Sequence, residues 1–424
     1  MDSALAGPCG KMRFQRSRFE MVIRSRGPRS DVVVALAPLI LTSCPQALDC
    51  PMRTLMHAVD CNRGYRFGWL WGFAASFLLP TCPLLECCAE CPGDITSNGQ
   101  VNGSDLAIVL AGWGTDGMAE PGSDINQDSI VDGMDLAVVI GAWGPCAIVP
   151  EWAVAIELEP DPSVVSDPTL RQAITDTRLA WRVLDAETQI EFLLIPPGRF
   201  RMGCSPSLSG PCAPDEGPAH DVVLSQPFYL GRFEVTQSQW TEVMGTNPST
   251  YQAASEQVPI DDVPRRPVER VSWENARDFL VATGMRFPSE AEWEYAYRAG
   301  TTSAFHGFEG HPAGTNDDSL AASIAWICSN GCTQTLPVGR RSGNGFGLHD
   351  MAGNVWEFVN DWYAPSYGSN EPVLDPTGPA AGLERIVRGG AFVFNASSCR
   401  ASVRWKGTPN RTAPFVGFRA ARTP

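Results

Sequence analysis

Apolar and polar positions alternate on short periods along most of this chain, and few apolar runs are long. Two five-residue runs, Leu106–Leu110 and Leu136–Ile140, each follow an oxygen-rich stretch and end in Gly-Trp-Gly or Ala-Trp-Gly; both read as short helices. Farther on, Phe192–Ile195, Val222–Leu224, Phe228–Leu230 and Ile386–Val387 are strand-length runs between Gly, Pro and polar residues. Two segments carry helical spacing with start signals. Ser272 caps 272–283, and Ser289 with Glu292 forms a capping box behind Pro288 for 289–298. The pattern predicts an α+β chain with much irregular structure. Its expected divisions are an N-terminal region 1–90, a small helical module 91–146, a Pro-rich acidic linker 147–189, and a large domain 190–424.

The N-terminal region shows no fold pattern. Phe67–Pro80 is apolar and follows Arg53, Arg63 and Arg66, the layout of an export signal, which makes Met52 or Met56 a more natural start. Asp31–Leu41 is a second apolar stretch, interrupted by Pro38; a buried strand or helix is the alternative for both. With 424 residues and a formal charge of −15, the chain is a poor match for nucleic acid, which wants a basic face. Lys11 and Lys406 are its only lysines. The 14 cysteines include two close pairs in polar loops, Cys204/Cys212 and Cys328/Cys332, expected as local disulfides of an oxidising, extracytoplasmic compartment. A zinc site is the alternative, although neither pair has zinc spacing.

The two oxygen-rich stretches repeat at a period of 30 residues (124 − 94). Asp94, Thr96, Asn98, Asn102 and Asp105 occupy loop positions 1, 3, 5, 9 and 12, with the Gln100 carbonyl at position 7; Asp124, Asn126, Asp128, Asp132 and Asp135 do so in the second copy, with Ile130 at position 7. Calcium needs six to eight oxygens from a tightly coiled loop, and this spacing supplies them. Position 6 is Gly99 in the first loop but Ser129 in the second. Two turns capping helices are the bland alternative. The pair resembles a dockerin-type repeat, which implies Ca2+ binding and a cohesin-like partner. Cys91 and Cys146 bracket it and are expected to clasp its ends.

Seven motifs of the last domain occur in one order: 195–203 (IPPGRFRMG), 234–240 (EVTQSQW), 267–273 (PVERVSW), 286–298 (RFPSEAEWEYAYR), 344–357 (NGFGLHDMAGNVWE), 388–390 (RGG) and 417–419 (GFR). They resemble the formylglycine-generating enzyme family, the sulfatase-modifying factors. The resemblance implies a C-type-lectin-like fold with little regular secondary structure. It also implies a calcium site formed by Asp350, Glu357 and the carbonyls of Gly353 and Val355, the alternative being a buried Glu357 paired to an arginine. The five tryptophans Trp273, Trp293, Trp356, Trp362 and Trp405 read as scaffold. Arg388, Arg400, Arg404 and Arg419 read as partners of Glu292, Glu294 and Glu357.

Family enzymes oxidise a sulfatase cysteine with oxygen and a Cu(I) held by two thiolates five residues apart. Here Cys399 matches the second thiolate and Phe394 stands at the first, so copper is doubtful. Cys399 is either a catalytic nucleophile or metal ligand, or a buried small thiol. Three function classes follow: a modifying oxidase, a calcium-stabilised domain binding a protein or glycan ligand, and an envelope component attached through the repeat pair. No transmembrane span is expected in the mature protein.

Overall fold

The computed structural model describes residues 91–424 apart from Ser209 and Cys332. The expectations for the N-terminal region, and the Cys328/Cys332 pair, involve residues outside that set.

Residues 91–146 form a duplicated unit. Strand β1 (Gln100–Val101) leads into helix α1 (Gly103–Ala111); the second copy supplies helix α2 (Gly133–Gly141) and strand β2 (Gly144–Pro145), antiparallel to β1. Asn102 and Asp132 are the N-caps, each in a capping box with the Asp three residues on. Val101, Val109, Val131 and Val139 form a small core of their own. The Cys91–Cys146 disulfide closes the unit as expected. It joins positions 55 residues apart, a loop long enough for the constraint on the unfolded chain to matter in so small a core.

The segment read as a linker is not one. It supplies β3 (Ala153–Glu157), α3 (Pro168–Thr175) and β4 (Arg182–Asp185). The two strands complete a five-stranded sheet, in spatial order β14-β8-β5-β4-β3, with β5 (Glu191–Ile195), β8 (Phe228–Gly231) and β14 (Ala421–Arg422). Of the prolines that suggested a linker, Pro160 lies in irregular chain, Pro162 in a turn, and Pro168 at the first position of α3, where a missing N–H is harmless and Asp167 caps the helix.

Two smaller sheets complete the domain. One joins β6 (Gly198–Met202), β7 (His220–Leu224) and β10 (Val373–Leu374). The other has the order β12-β11-β9-β13: β12 (Trp405–Gly407), β11 (Arg385–Arg388), β9 (Trp356–Trp362) and β13 (Val416–Phe418). Helices α5 (Trp273–Ala282) and α6 (Glu290–Arg298) start at the expected Ser272 and Ser289 caps. An unexpected helix, α4 (Gln237–Met244), starts at Thr236, whose capping box with Gln239 was present in the sequence as T-x-x-Q. Trp273, Trp293 and Trp356 are buried, which agrees with a scaffold role. Among the described residues no helix is long and apolar enough to cross a membrane.

Candidate functional site

Antiparallel pairing of β9 and β11 places Glu357 opposite Arg388, so the loop before one strand meets the loop after the other. Gly353 N–H donates to the Gly389 carbonyl (2.8 Å) and Phe392 N–H to the Asn354 carbonyl (3.0 Å). Residues 350–357 and 388–400 therefore form one site. Gly390 is there for space as well as conformation: at φ +80°, a Cβ on it would lie 2.3 Å from Cys399 Sγ.

Cys399 is fully buried, and burial pushes its thiol up to about 12. Its Sγ lies 3.9 Å from the Asn395 carbonyl. The position of the first family thiolate holds Phe394, whose ring packs against Trp356, Trp405 and Phe415 at centroid distances of 5.7, 6.0 and 5.5 Å. Cu(I) wants two soft thiolates. One ring and one buried neutral thiol do not fit it.

Around the 350–357 loop three carboxylates are buried: Glu234, Asp350 and Glu357. Both oxygens of Glu357 are engaged, by the Arg419 guanidinium (2.8 Å to Oε1, 3.1 Å to Oε2) and by the Trp293 indole N–H (2.7 Å to Oε2). The arginine pairing considered as the alternative to a metal role is thus present. Asp350, held at φ +56°, accepts the Gly339 N–H (2.6 Å) on Oδ2, while its buried Oδ1 has no hydrogen-bond partner. Burial pushes Asp350 up to about 6. Glu234, a residue not singled out in the sequence, accepts Asn354 Nδ2 (2.7 Å) and the Val355 N–H (3.1 Å). Burial, then the charges of Asp350 and Glu357, raise it well above the usual carboxylate range. Of the three, only Asp350 leaves a buried oxygen without a partner, and the three side chains do not converge as a metal cluster.

In the repeat unit the two loops have the same internal wiring. Asp94 accepts the N–H groups of Asn98 (3.0 Å) and Gly99 (2.7 Å); Asp124 accepts those of Asp128 (3.2 Å) and Ser129 (2.9 Å). Asp105 and Asp135, both fully buried, bind the start of their own loop and the N-cap of the following helix. Burial opposes their ionisation, but these N–H donors outweigh it and hold both carboxyls below the usual range. Positions 4 and 6 have positive φ in both copies: Ser97 and Gly99, then Gln127 and Ser129. Ser129 therefore adopts the conformation that favours glycine. Among the described residues no three His, Cys, Asp or Glu side chains converge as a metal cluster. The donors of these loops are a mixture of carboxylate, amide, hydroxyl and main-chain oxygens.

A large buried ion network supports the segment that carries Cys399. Arg388 pairs with Glu294 and Glu290, Arg298 with Glu294, Arg404 with Glu290, and Arg400 with Glu216. Of the pairings expected from the sequence, Arg388–Glu294 and Arg419–Glu357 are made. Arg400 instead takes Glu216, and Glu292 takes the nearby Arg286.

Fold and site together describe a mixed α/β domain of short elements held by buried ion pairs around an Arg-Gly-Gly turn. Residues 183–424 match the family described as the sulfatase-modifying factor enzyme 1-like domain, and the chain belongs to that family. It is 32% identical over 282 residues to a formylglycine-generating enzyme of Thermomonospora curvata, covering 54% of this chain and 92% of that protein. It is 35% identical over 174 residues to a formylglycine-generating enzyme of Streptomyces coelicolor, covering 37% of this chain and 53% of that protein. The chain thus spans about half the length of the Streptomyces relative and nearly all of the Thermomonospora one. Among solved structures, Treponema denticola variable protein 1 is similar with 27% identity and a TM-score of 0.49, covering 56% of this chain and 98% of that one.

Proposed function

We propose that this protein is a calcium-stabilised, extracytoplasmic binding member of the sulfatase-modifying-factor family that has lost the formylglycine-generating oxidase chemistry. The observation that carries this reading is Phe394. Its ring is built into an aromatic cluster where a thiolate would have to stand, and the remaining Cys399 is buried and neutral at physiological pH. Incubating a Cys-x-Pro-x-Arg sulfatase peptide with the protein, Cu(I) and oxygen is expected to leave the peptide cysteine unchanged by mass spectrometry. Phe394→Cys is expected to raise Cu(I) affinity by about tenfold or more, since it restores the second soft ligand. An aldehyde formed by the parent protein, or tight and equal Cu(I) binding by both, would sink the reading.

Calcium would be held at two places. In the repeat pair, Asp94, Thr96, Asn98, Asn102 and Asp105, with Asp124, Asn126, Asp128, Asp132 and Asp135, offer side-chain oxygens, and Gln100 and Ile130 offer carbonyls. In the large domain, Asp350, Glu357 and the Gly353 and Val355 carbonyls serve, beside Glu234. At the second place the cation would satisfy the orphaned Asp350 Oδ1. At about a hundred times its Kd it adds about 2.7 kcal/mol to stability. Chelation by EGTA is therefore expected to speed amide exchange in both 94–135 and 350–357, and Asp350→Ala should abolish the effect at the second place only. Exchange that ignores EGTA at both places would remove calcium from the proposal. The duplicated unit serves as an attachment device of the dockerin type, for which a cohesin-like protein is the partner to seek.

A further inference from the structure

Two disulfides lie wholly among the described residues, and they differ in what surrounds them. Cys91–Cys146 closes the duplicated unit across 55 residues, and Cys146 is buried. Residues 91–146 hold no Lys, Arg or His, so the unit has no cation of its own to receive a thiolate. Cys204–Cys212 spans 8 residues in the loop between β6 and β7. Cys204 is exposed, Cys212 is half-buried, and a guanidinium nitrogen of Arg400 lies 3.6 Å from Cys212 Sγ. Glu216 takes two N–H groups of the same guanidinium, each at 2.8 Å. The pull of Arg400 on the sulfur is therefore less than that of an unpaired arginine, but its direction is the same.

The loop does not need this bond for its shape. On one arm the Gly203 carbonyl accepts Arg298 (3.0 Å), the Cys204 N–H donates to the Glu216 carbonyl (2.8 Å), and the Ser205 N–H donates to Ser402 Oγ (3.0 Å). On the other arm the Ala213 N–H donates to Glu216 Oε1 (2.8 Å). Both arms are anchored to the buried ion network, so the two sulfurs stay close when the bond opens. A bond across 8 residues also restrains the unfolded chain less than one across 55. One exposed sulfur and one sulfur backed by a cation give the bond a direction. An incoming thiolate reaches Cys204, and Cys212 departs, because a thiol of lower pKa leaves faster.

We propose that Cys204–Cys212 is a redox-active pair that takes two electrons from thiols by disulfide exchange. A substrate thiolate attacks Cys204 Sγ. The bond to Cys212 breaks, and its electron pair stays on Cys212 as a thiolate beside Arg400. A second substrate thiolate then attacks the substrate sulfur of the mixed disulfide, forming the substrate disulfide and releasing Cys204. Two substrate thiols are thereby oxidised to one disulfide and the pair is reduced to two thiols; the two protons pass from the substrate thiols to Cys204 and Cys212 through solvent. Return to the starting bond takes an external disulfide, such as oxidised glutathione, by the reverse exchange. No step uses copper, calcium or the site around Phe394, so this activity stands or falls apart from the function proposed above.

The test exposes the full chain to reduced glutathione in one arm and to a two-cysteine peptide in the other. Acid-quenched samples are alkylated and mapped by mass spectrometry at Cys91, Cys146, Cys204 and Cys212. Expected is reduction of Cys204–Cys212 about tenfold or more faster than that of Cys91–Cys146, and its return on adding oxidised glutathione. The faster donor tells whether small thiols or polypeptides are the source. In early samples glutathione should sit on Cys204 and not on Cys212. In Cys204→Ser, which leaves Cys212 as a thiol, the pH profile of its alkylation by iodoacetamide should have a midpoint below the ordinary value of about 8.5. Equal reduction of both disulfides, no reduction of Cys204–Cys212, glutathione found first on Cys212, or a Cys212 midpoint at or above the ordinary value would each overturn the proposal.

Discussion

Replacing Arg388 with methionine is expected to lower the unfolding free energy by about 3–5 kcal/mol, the range for breaking a buried ion pair by removing one partner. Arg388 is fully buried. Its guanidinium binds Glu294, lies 3.3 Å from Glu290, and donates to the carbonyls of Ala401 (2.7 Å) and Ser402 (3.2 Å). The two carbonyls belong to the segment just after Cys399, so the same side chain ties the Arg-Gly-Gly turn to the far end of the site. Methionine would leave both carbonyls and one Glu294 oxygen without a donor in a place water does not reach. Glu294 would keep Arg298 (2.7 Å) and the Gly203 N–H (2.9 Å), which limits the damage. Adding Glu294→Gln to Arg388→Met should deepen the loss, because it strands the buried Arg298 guanidinium, whose one ion pair among the described residues is Glu294. Urea denaturation of the single and double variants measures both. A single variant within about 1 kcal/mol of the parent would show that the network contributes little.

Asp361→Asn is expected to act through pH. Asp361 lies on β9, buried at the start of α6, where it accepts the Glu290 N–H (2.8 Å). Burial and the charges of Glu290 and Glu292 push its carboxyl up to about 7, against the pull of the nearby Arg404. Arg385 also lies within its field. A carboxyl raised on folding binds its proton more tightly in the folded state than in the unfolded one. Stability from this group is therefore full below the unfolded value of 3.8 and is lost as pH rises toward 7. Between pH 5 and 8 the loss is on the order of 3 kcal/mol. The asparagine variant keeps an oxygen for the Glu290 N–H and carries no charge, so it should gain about that much on the parent over the interval. Taking the difference between variant and parent cancels the carboxylates whose shifts run the other way, such as Glu191 and Glu216. A pH-independent difference would mean that Asp361 ionises as freely in the folded chain as in the unfolded one.

The capped helices were legible because their signals are local. Ser272, Ser289 with Glu292, and the two Asp/Asn repeats each fix a turn with groups three residues apart. The Thr236–Gln239 box was equally local and went unread, since its helix has only eight residues and a weak apolar stripe. The linker reading failed for a different reason. The runs 153–156 and 183–184 are apolar, but the prolines and acids around them read as a linker leading into an edge element, and the β5 partner that carries β4 into the sheet lies beyond the segment.

The seven ordered motifs carry family membership, because each records a local requirement such as a cap, a tight turn or a close approach to backbone. The substitution of Phe394 for a thiolate was visible in the same way. Tertiary structure decided what that substitution means. Only folding brings Trp356, Trp405 and Phe415 around Phe394, buries Cys399 under Gly390, and gathers Glu234, Asp350 and Glu357 around Arg419. Most of these partners are distant in the chain, Glu234 and Arg419 the farthest, and pKa, burial and charge balance depend on distance in space rather than along the sequence.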